Sequence, residues 1–305
     1  MASNNESALL CKLNANLKIA VQQGTYTRVK VLVVYWEDGD EAYKTEGRAV
    51  RQLFEEVFRY PVEEFAIPTQ AQVGYYKLLG KISTELANAQ GGPSLLIVHY
   101  GGHSDRNDDR HGGEECRSVW AAFDEGDPTL DWYRIQDEMR ASNADILLLL
   151  DCCYAAQAAR DPWRGQGRFE ILAAAAMAMK TPSPGPRSFT TTLIRGMREA
   201  VARTGFVNIS DLHGHLCARQ QNLWATPVHI TLKSGRAPMC LKPLPPTSEV
   251  MSGNNVKAIS ILQVLVKIRE DFSLELSDHL ADWLGTGIPQ AVSGIEIQKV
   301  PQGFR

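Results

Sequence analysis

No apolar run in this sequence reaches the roughly 20 residues that a membrane-spanning helix needs. The N-terminus, MASNNESALLCKLNANLKIA, lacks a basic start followed by a continuous apolar core, so it does not read as a secretory signal. An excess of positive charge is missing too: 32 Lys and Arg stand against 35 Asp and Glu, a net charge of −3. Nucleic-acid binding draws most of its affinity from neutralised phosphates, and this chain has no broad basic surface to supply it. Cysteines are few and irregular: Cys11, Cys116, Cys152, Cys153, Cys217 and Cys240. They make a poor disulfide framework and predict a reducing, intracellular setting, the cytoplasm. No Gly-x4-Gly-Lys-Ser/Thr phosphate loop occurs. Ala159, not Arg160, stands six residues after Cys153, which excludes the Cys-x5-Arg loop of a tyrosine phosphatase. There is no internal repeat.

What remains is globular. The chain has 305 residues, 44% hydrophobic and 22% charged, enough for one large domain or two modest ones. Arg28 to Trp36 (RVKVLVVYW), Pro61 to Ile67, Ser94 to Tyr100 (SLLIVHY) and Ile146 to Leu150 (ILLLL) read as strands, with a further extended stretch over Arg117 to Phe123. Between them, Val50, Leu53, Phe54, Val57 and Phe58, and then Val73, Leu78, Leu79, Ile82 and Leu86, recur at helical spacing. Asp131 reads as the cap of a helix to Arg140. Later come a strand at Phe169 to Ala174, helices capped by Ser188 and Ser210, and a last strand at Pro227 to Leu232. Short continuous apolar runs between amphipathic helices predict an α/β fold: a mainly parallel sheet sandwiched between helices. Pro243, Pro245 and Pro246 open a linker. The expected organisation is a tail or short helix over 1–25, a main domain over 26–245, and a small C-terminal α/β appendage over 256–305. In the appendage, 258–268, 277–284 and 294–300 read as strand, helix and strand.

Two strand ends concentrate chemistry. His99-Tyr100-Gly101-Gly102-His103-Ser104 follows LLIV, and Asp151-Cys152-Cys153-Tyr154 follows ILLLL. In an open parallel sheet, ligands sit beyond the carboxyl ends of the strands. Two glycines before His103 would let the backbone turn sharply and approach a substrate. A cysteine and a histidine on such loops can form a nucleophile and its base, because the thiolate is the reactive form and an imidazole raises its availability. Cys152 reads as a buried small hydrophobe. His99, opposite Tyr100 across the strand, reads as structural. Asp151 reads either as part of the site or as the cap of a following helix.

At these residues the chain resembles the caspase-like cysteine peptidases, in particular the metacaspases and the caspase-like domains of filamentous fungi. The family's histidine motif is close to Tyr-Ser-Gly-His-Gly, and here it is Tyr100-Gly101-Gly102-His103-Ser104. Its cysteine motif is close to Asp-x-Cys-His-Ser-Gly, and here it is Asp151-Cys152-Cys153-Tyr154-Ala155-Ala156. His103 and Cys153 lie 50 residues apart, matching the histidine about 50 residues upstream of the cysteine in caspases. Phe169 to Arg198 resembles the start of the smaller caspase subdomain, and the resemblance covers roughly 26 to 245.

The resemblance implies a caspase-like fold and an intracellular cysteine endopeptidase acting on proteins or peptides. His103 would be the general base and acid, and Cys153 the nucleophile. The backbone N–H groups of Cys153 and Ser104 would form the oxyanion hole. Asp151 would receive a basic side chain at the residue before the cut, giving cleavage after Arg or Lys. The segment from Ala159 to Arg168, with Arg160, Arg164 and Arg168, reads as an exposed loop where such an enzyme could cut itself. Ser104 stands in place of the family's glycine, and Tyr154, Ala155 and Ala156 in place of His-Ser-Gly. They keep open a catalytically degenerate interaction module, a pseudoprotease; a small-molecule hydrolase with the same dyad is a third reading. No cofactor is required. Asp105, Asp108, Asp109, Glu114 and Glu115 could bind calcium, though without the fixed spacing of an EF-hand. His213, His215 and Cys217 are ligand types at a spacing that places the two histidines on different helix faces. The sequence gives no oligomeric state.

Overall fold

The computed structural model describes residues 8–14, 26–89, 93–106, 118–124, 128–153, 167–175, 183–218, 223–232, 238–245, 273–285 and 295–297. In chain order its elements are α1 (8–14), β1 (Arg28–Trp36), α2 (Glu41–Gln52) running into a π-helical turn (Leu53–Phe58), β2 (Val62–Ile67) and α3 (Ala71–Asn88). Then come β3 (Ser94–Gly101), β4 (His103–Arg106), β5 (Ser118–Ala121), β6 (Thr129–Leu130), α4 (Trp132–Met139), β7 (Asp145–Asp151) and β8 (Phe169–Ala173). The chain continues through α5 (Phe189–Thr204), β9 (Val207–Asn208), α6 (Ile209–Leu216), β10 (Val228–Thr231), β11 (Cys240–Leu241) and α7 (Leu274–Gly285).

The larger of two compact units runs over 25–234 and 238–245. Its main sheet has the order β10-β8-β7-β3-β1-β2, parallel throughout except for β10, which runs antiparallel to β8. Every residue of β3 is buried, as expected of a central strand covered on both faces. Alternate residues of β1 face opposite layers. Val31 and Val33 pack with Leu53 and Phe54 at the end of α2, with Leu193 and Met197 of α5 and with Leu212 of α6. Leu32 and Val34 pack with Leu78 and Ile82 of α3 and with Ile135 and Met139 of α4. The period of two in the strand thus meets the 3.6-residue period of the helices on each side. A separate antiparallel sheet, β4-β5-β6, stands off the C-terminal end of β3. Trp120 of β5 stacks face to face between Tyr100 of β3 and Trp132 of α4, with centroids 3.7 and 3.9 Å apart.

At the opposite end of β7 a buried ion pair closes the sheet. Arg168 donates from Nε and Nη2 to Asp145 Oδ2 at 2.9 and 2.7 Å, and its backbone N–H reaches Oδ1 at 2.6 Å. The Tyr26 hydroxyl accepts from Arg168 and donates to Asp145, both at 2.9 Å. Arg168 was expected in an exposed loop; it is 7% exposed and anchored. Arg160 and Arg164 lie outside the described residues.

Two expected caps differ. Ser188 does cap α5, accepting from the Thr191 N–H at 3.1 Å. Asp131 makes no capping hydrogen bond; its carboxylate meets the Arg134 guanidinium at 3.3 Å instead. Asn208, not Ser210, caps α6, accepting from the N–H groups of Ser210 and Asp211. Both serve as cap types, and the one two residues earlier sits where the chain leaves β9.

The smaller unit draws on both ends of the chain. Leu13 and Ala281 are buried with Leu280, Leu284, Ile295 and Ile297 against them. Asn14 exchanges two hydrogen bonds with the backbone of Ile297, at 2.9 and 2.7 Å. The expected strand over 258–268 lies outside the described residues, and 295–297 form no strand. Among the described residues, no helix is long and apolar enough to cross a membrane.

Candidate functional site

The strands β3 and β7 pair in parallel with Leu95 opposite Asp145 and Gly101 opposite Asp151. Every pair in that ladder is offset by 50 residues, the separation of His103 from Cys153. Both residues therefore stand two positions along the chain beyond the last ladder pair, His103 at the start of β4 and Cys153 just past β7. Two hydrogen bonds tie the segments together past the ladder. The Gly102 N–H donates to the Asp151 carbonyl at 3.2 Å, and the Ser104 hydroxyl donates to the Cys153 carbonyl.

His103 opens β4, opposite Ala121. Its carbonyl accepts from the Tyr100 hydroxyl at 2.7 Å, while Trp36 Nε1 donates to the same hydroxyl at 3.1 Å. The Tyr43 ring meets the imidazole edge-on, centroids 5.2 Å apart. Asp124 Oδ1 lies 3.8 Å from Nδ1, beyond hydrogen-bond range. Gly102 sits at the bend between β3 and β4, as expected, and it also makes room for a neighbouring ring. Its backbone stays out of the left-handed region, and a Cβ there would stand 2.6 Å from the Tyr100 hydroxyl. The glycine makes room for Tyr100, which braces the histidine. Gly102→Ala is therefore expected to push Tyr100 off the His103 carbonyl and to cost about 1–3 kcal/mol, read from the unfolding midpoint in urea.

Cys153 is half-buried and Cys152 is buried. Burial pushes the Cys152 thiol well above its ordinary value, with the neighbouring Ser104 hydroxyl opposing. Asp151 is 2% exposed. Its Oδ2 accepts from the Thr190 hydroxyl at 2.7 Å and from the Thr190 N–H at 3.0 Å, so it serves the first turn of α5. Burial pushes its carboxyl up to about 7; the Thr190 hydroxyl lowers it, Glu46 raises it, and the Thr190 N–H lowers it again. Glu46, on α2, accepts through Oε1 from the Ser188 hydroxyl, the Thr191 hydroxyl and the Gly185 N–H. Its Oε2 is buried with no hydrogen-bond partner. Glu46 and Thr190 escaped the sequence reading because each is distant in sequence from both strand ends. Their only local signal was the Ser188 cap beside Thr190.

Among the described residues, no group of three or more His, Cys, Asp or Glu side chains is placed to hold a metal. His213 Nε2 instead lies 3.0 Å from the Pro227 carbonyl and 3.3 Å from Cys217 Sγ. Of the acidic cluster only Asp105 is described; Asp108, Asp109, Glu114 and Glu115 lie outside the described residues. So do Tyr154, Ala155 and Ala156.

No protein-family model and no curated protein matches the chain. Among solved structures it is similar to the protein GSU0716 from Geobacter sulfurreducens, with a TM-score of 0.50 and 14% identity, over 68% of this chain and 94% of that one. It is also similar to the Drosophila initiator caspase Dronc (TM-score 0.44, 11% identity, 68% of this chain and 81% of that one). Caspase-1 from Spodoptera frugiperda follows at a TM-score of 0.38 and 10% identity, over 73% of this chain and 88% of that one. These likenesses lie in the fold alone, at low identity.

Proposed function

We propose that this chain is a caspase-like cysteine endopeptidase in which Cys153 attacks and His103 shuttles the proton, with cleavage after Arg or Lys. The observation that carries the reading is the common register: the two residues stand the same number of residues beyond paired strands, on segments joined by hydrogen bonds from Gly102 and Ser104. His103 would take the Cys153 thiol proton as sulfur bonds to the scissile carbonyl carbon, then give it to the leaving amine. Water would release the acyl group. The N–H groups of Cys153 and Ser104 would face the oxyanion.

The preference for a basic side chain is supported by two carboxylates at the α5 N-terminus. Asp151 and Glu46 repel each other, and Glu46 Oε2 is a buried acceptor without a donor. A guanidinium offers several N–H donors and one positive charge, whereas a substrate aspartate would add a third like charge. Self-cleavage, if it follows, would use Arg160 or Arg164, because Arg168 is buried against Asp145. Calcium dependence belongs to the same proposal only through an acidic cluster that is mostly outside the described residues.

A rival reading has one specific support. Tyr154, Ala155 and Ala156 replace the His-Ser-Gly of the resembled motif, as in a module that keeps the fold and binds without turnover. Treatment with peptide acyloxymethyl ketones separates the two. An Arg-terminated reagent is expected to add one peptide mass to Cys153, and an Asp-terminated one to add little. No adduct from either would favour the interaction module. Labelling by the Asp reagent alone would reverse the specificity.

A further inference from the structure

His99 is a buried titratable side chain that this chemistry leaves idle. It is 1% exposed, with Thr190 at 0% and Asp151 at 2% beside it. Its Nε2 lies 3.1 Å from Thr190 Oγ1, and the same hydroxyl donates to Asp151 Oδ2 at 2.7 Å. Its Nδ1 is buried with no partner. We propose that His99, Thr190 and Asp151 form one hydrogen-bonded relay that sets whether Asp151 is charged, and thereby whether the α5 N-terminus accepts a cationic substrate side chain. The substrate half of this proposal rests on the peptidase reading above.

The argument is proton counting. A threonine hydroxyl has one proton, so it can donate to only one neighbour. With Asp151 ionised, the Thr190 hydroxyl points to it, and His99 must hold its ring proton on Nε2 to fill the acceptor side of Oγ1. Nδ1 is then bare. Adding one proton to Asp151 turns its O–H towards Oγ1. The Thr190 hydroxyl reverses towards His99 Nε2, and the ring proton moves to Nδ1. The backbone N–H of Thr190 donates to the same Oδ2 at 3.0 Å and needs no reversal in this exchange. Each state of the carboxyl thus has its own tautomer of a ring in β3.

The titratable groups that interact with Asp151 are Glu46 and Tyr43 from α2 and, electrostatically, Cys152 from its own strand end, with His99 across Thr190. Burial places the carboxyl's transition at about 7, with neutral Asp151 below and charged Asp151 above. Burial pushes His99 itself down to about 4. A change at its ring near neutral pH therefore reports Asp151, not protonation of the imidazole.

Histidine-selective nitrogen-15 labelling of the full chain reads the ring tautomer directly, with His99→Gln assigning the signal. Between about pH 5.5 and 8.5, the His99 proton is expected to move from Nδ1 to Nε2 as pH rises, and to show no such change in Asp151→Asn. For an Arg-peptide relative to a neutral one, kcat/KM is expected to fall about tenfold from pH 8 to pH 6. Thr190→Val should move that midpoint upward, so that its lost activity returns at higher pH, and Thr190→Ser should restore the original midpoint. A merely structural loss would not return with pH. A ring that keeps one tautomer, or that changes equally in Asp151→Asn, overturns the relay. A titrating relay with a pH-independent Arg preference overturns its link to substrate choice. A titrating relay in a chain that cuts no peptide supports the relay and removes the peptidase reading instead.

Discussion

Cys153→Ala is expected to lower cleavage of an Arg-peptide by about 10⁴-fold or more, whereas Cys152→Ala should keep most of the activity. The two cysteines are adjacent, yet their surroundings separate them. Cys152 is 1% exposed inside the layer that holds Tyr100, Trp120 and Trp132. Burial disfavours its thiolate, and the thiolate is the form that attacks a carbonyl. Cys153 is half-buried at the edge where the histidine segment is tied down. Cys152→Ala should instead show in stability, at about 1–2 kcal/mol for the lost buried side chain. Steady-state kinetics and urea unfolding on both variants check the pair. If Cys152→Ala were inactive and Cys153→Ala active, the assignment of the nucleophile would fall.

The largest stability effect is expected at the other end of β7. Asp145→Ala should cost about 3–5 kcal/mol, because it leaves the Arg168 guanidinium charged and buried beside Tyr26. The double replacement Asp145→Leu with Arg168→Met should recover much of that loss, since removing both charges leaves neither uncompensated. A lower urea midpoint with an unchanged slope would mark a pure stability change. Equal losses in the single and double variants would mean that the hydrogen bonds to Tyr26 and to the Arg168 backbone matter more than the charge.

Strands were the most legible part of the sequence. β1, β3 and β7 carry the apolar runs VLVVYW, LLIV and ILLLL, whose burial leaves little choice of structure, and each stretch forms the strand expected. The mainly parallel sheet between helices follows from the same runs and is the architecture found. The antiparallel direction of β10 was not readable, because an edge strand carries no mark of its direction. Caps were half legible: Ser188 was, while Asn208 was masked by a serine two residues on, and Asp131 had a guanidinium to answer. The fate of Arg168 depended on Asp145, 23 residues away, and no local pattern announces such a pair. At the site, His103 and Cys153 drew attention through their strand ends. Glu46 and Thr190 reach Asp151's surroundings only once α2 and α5 have packed, so folding rather than spacing assembles them.

The covalent stretch between Cys153 and Gly167 joins strands that are already neighbours, since β7 and β8 hydrogen-bond side by side and Arg168 is fastened to Asp145. Cutting that stretch would leave two polypeptides sharing one sheet. Before the cut, each half meets the other at the effective concentration set by a short tether, of millimolar order. After it, the same contacts become an association between molecules, and the unfolding midpoint should rise with protein concentration where before it was constant. Dilution would then turn off what the peptide bond had made permanent, so that the assembled fraction of the cut molecule depends on how much of it there is.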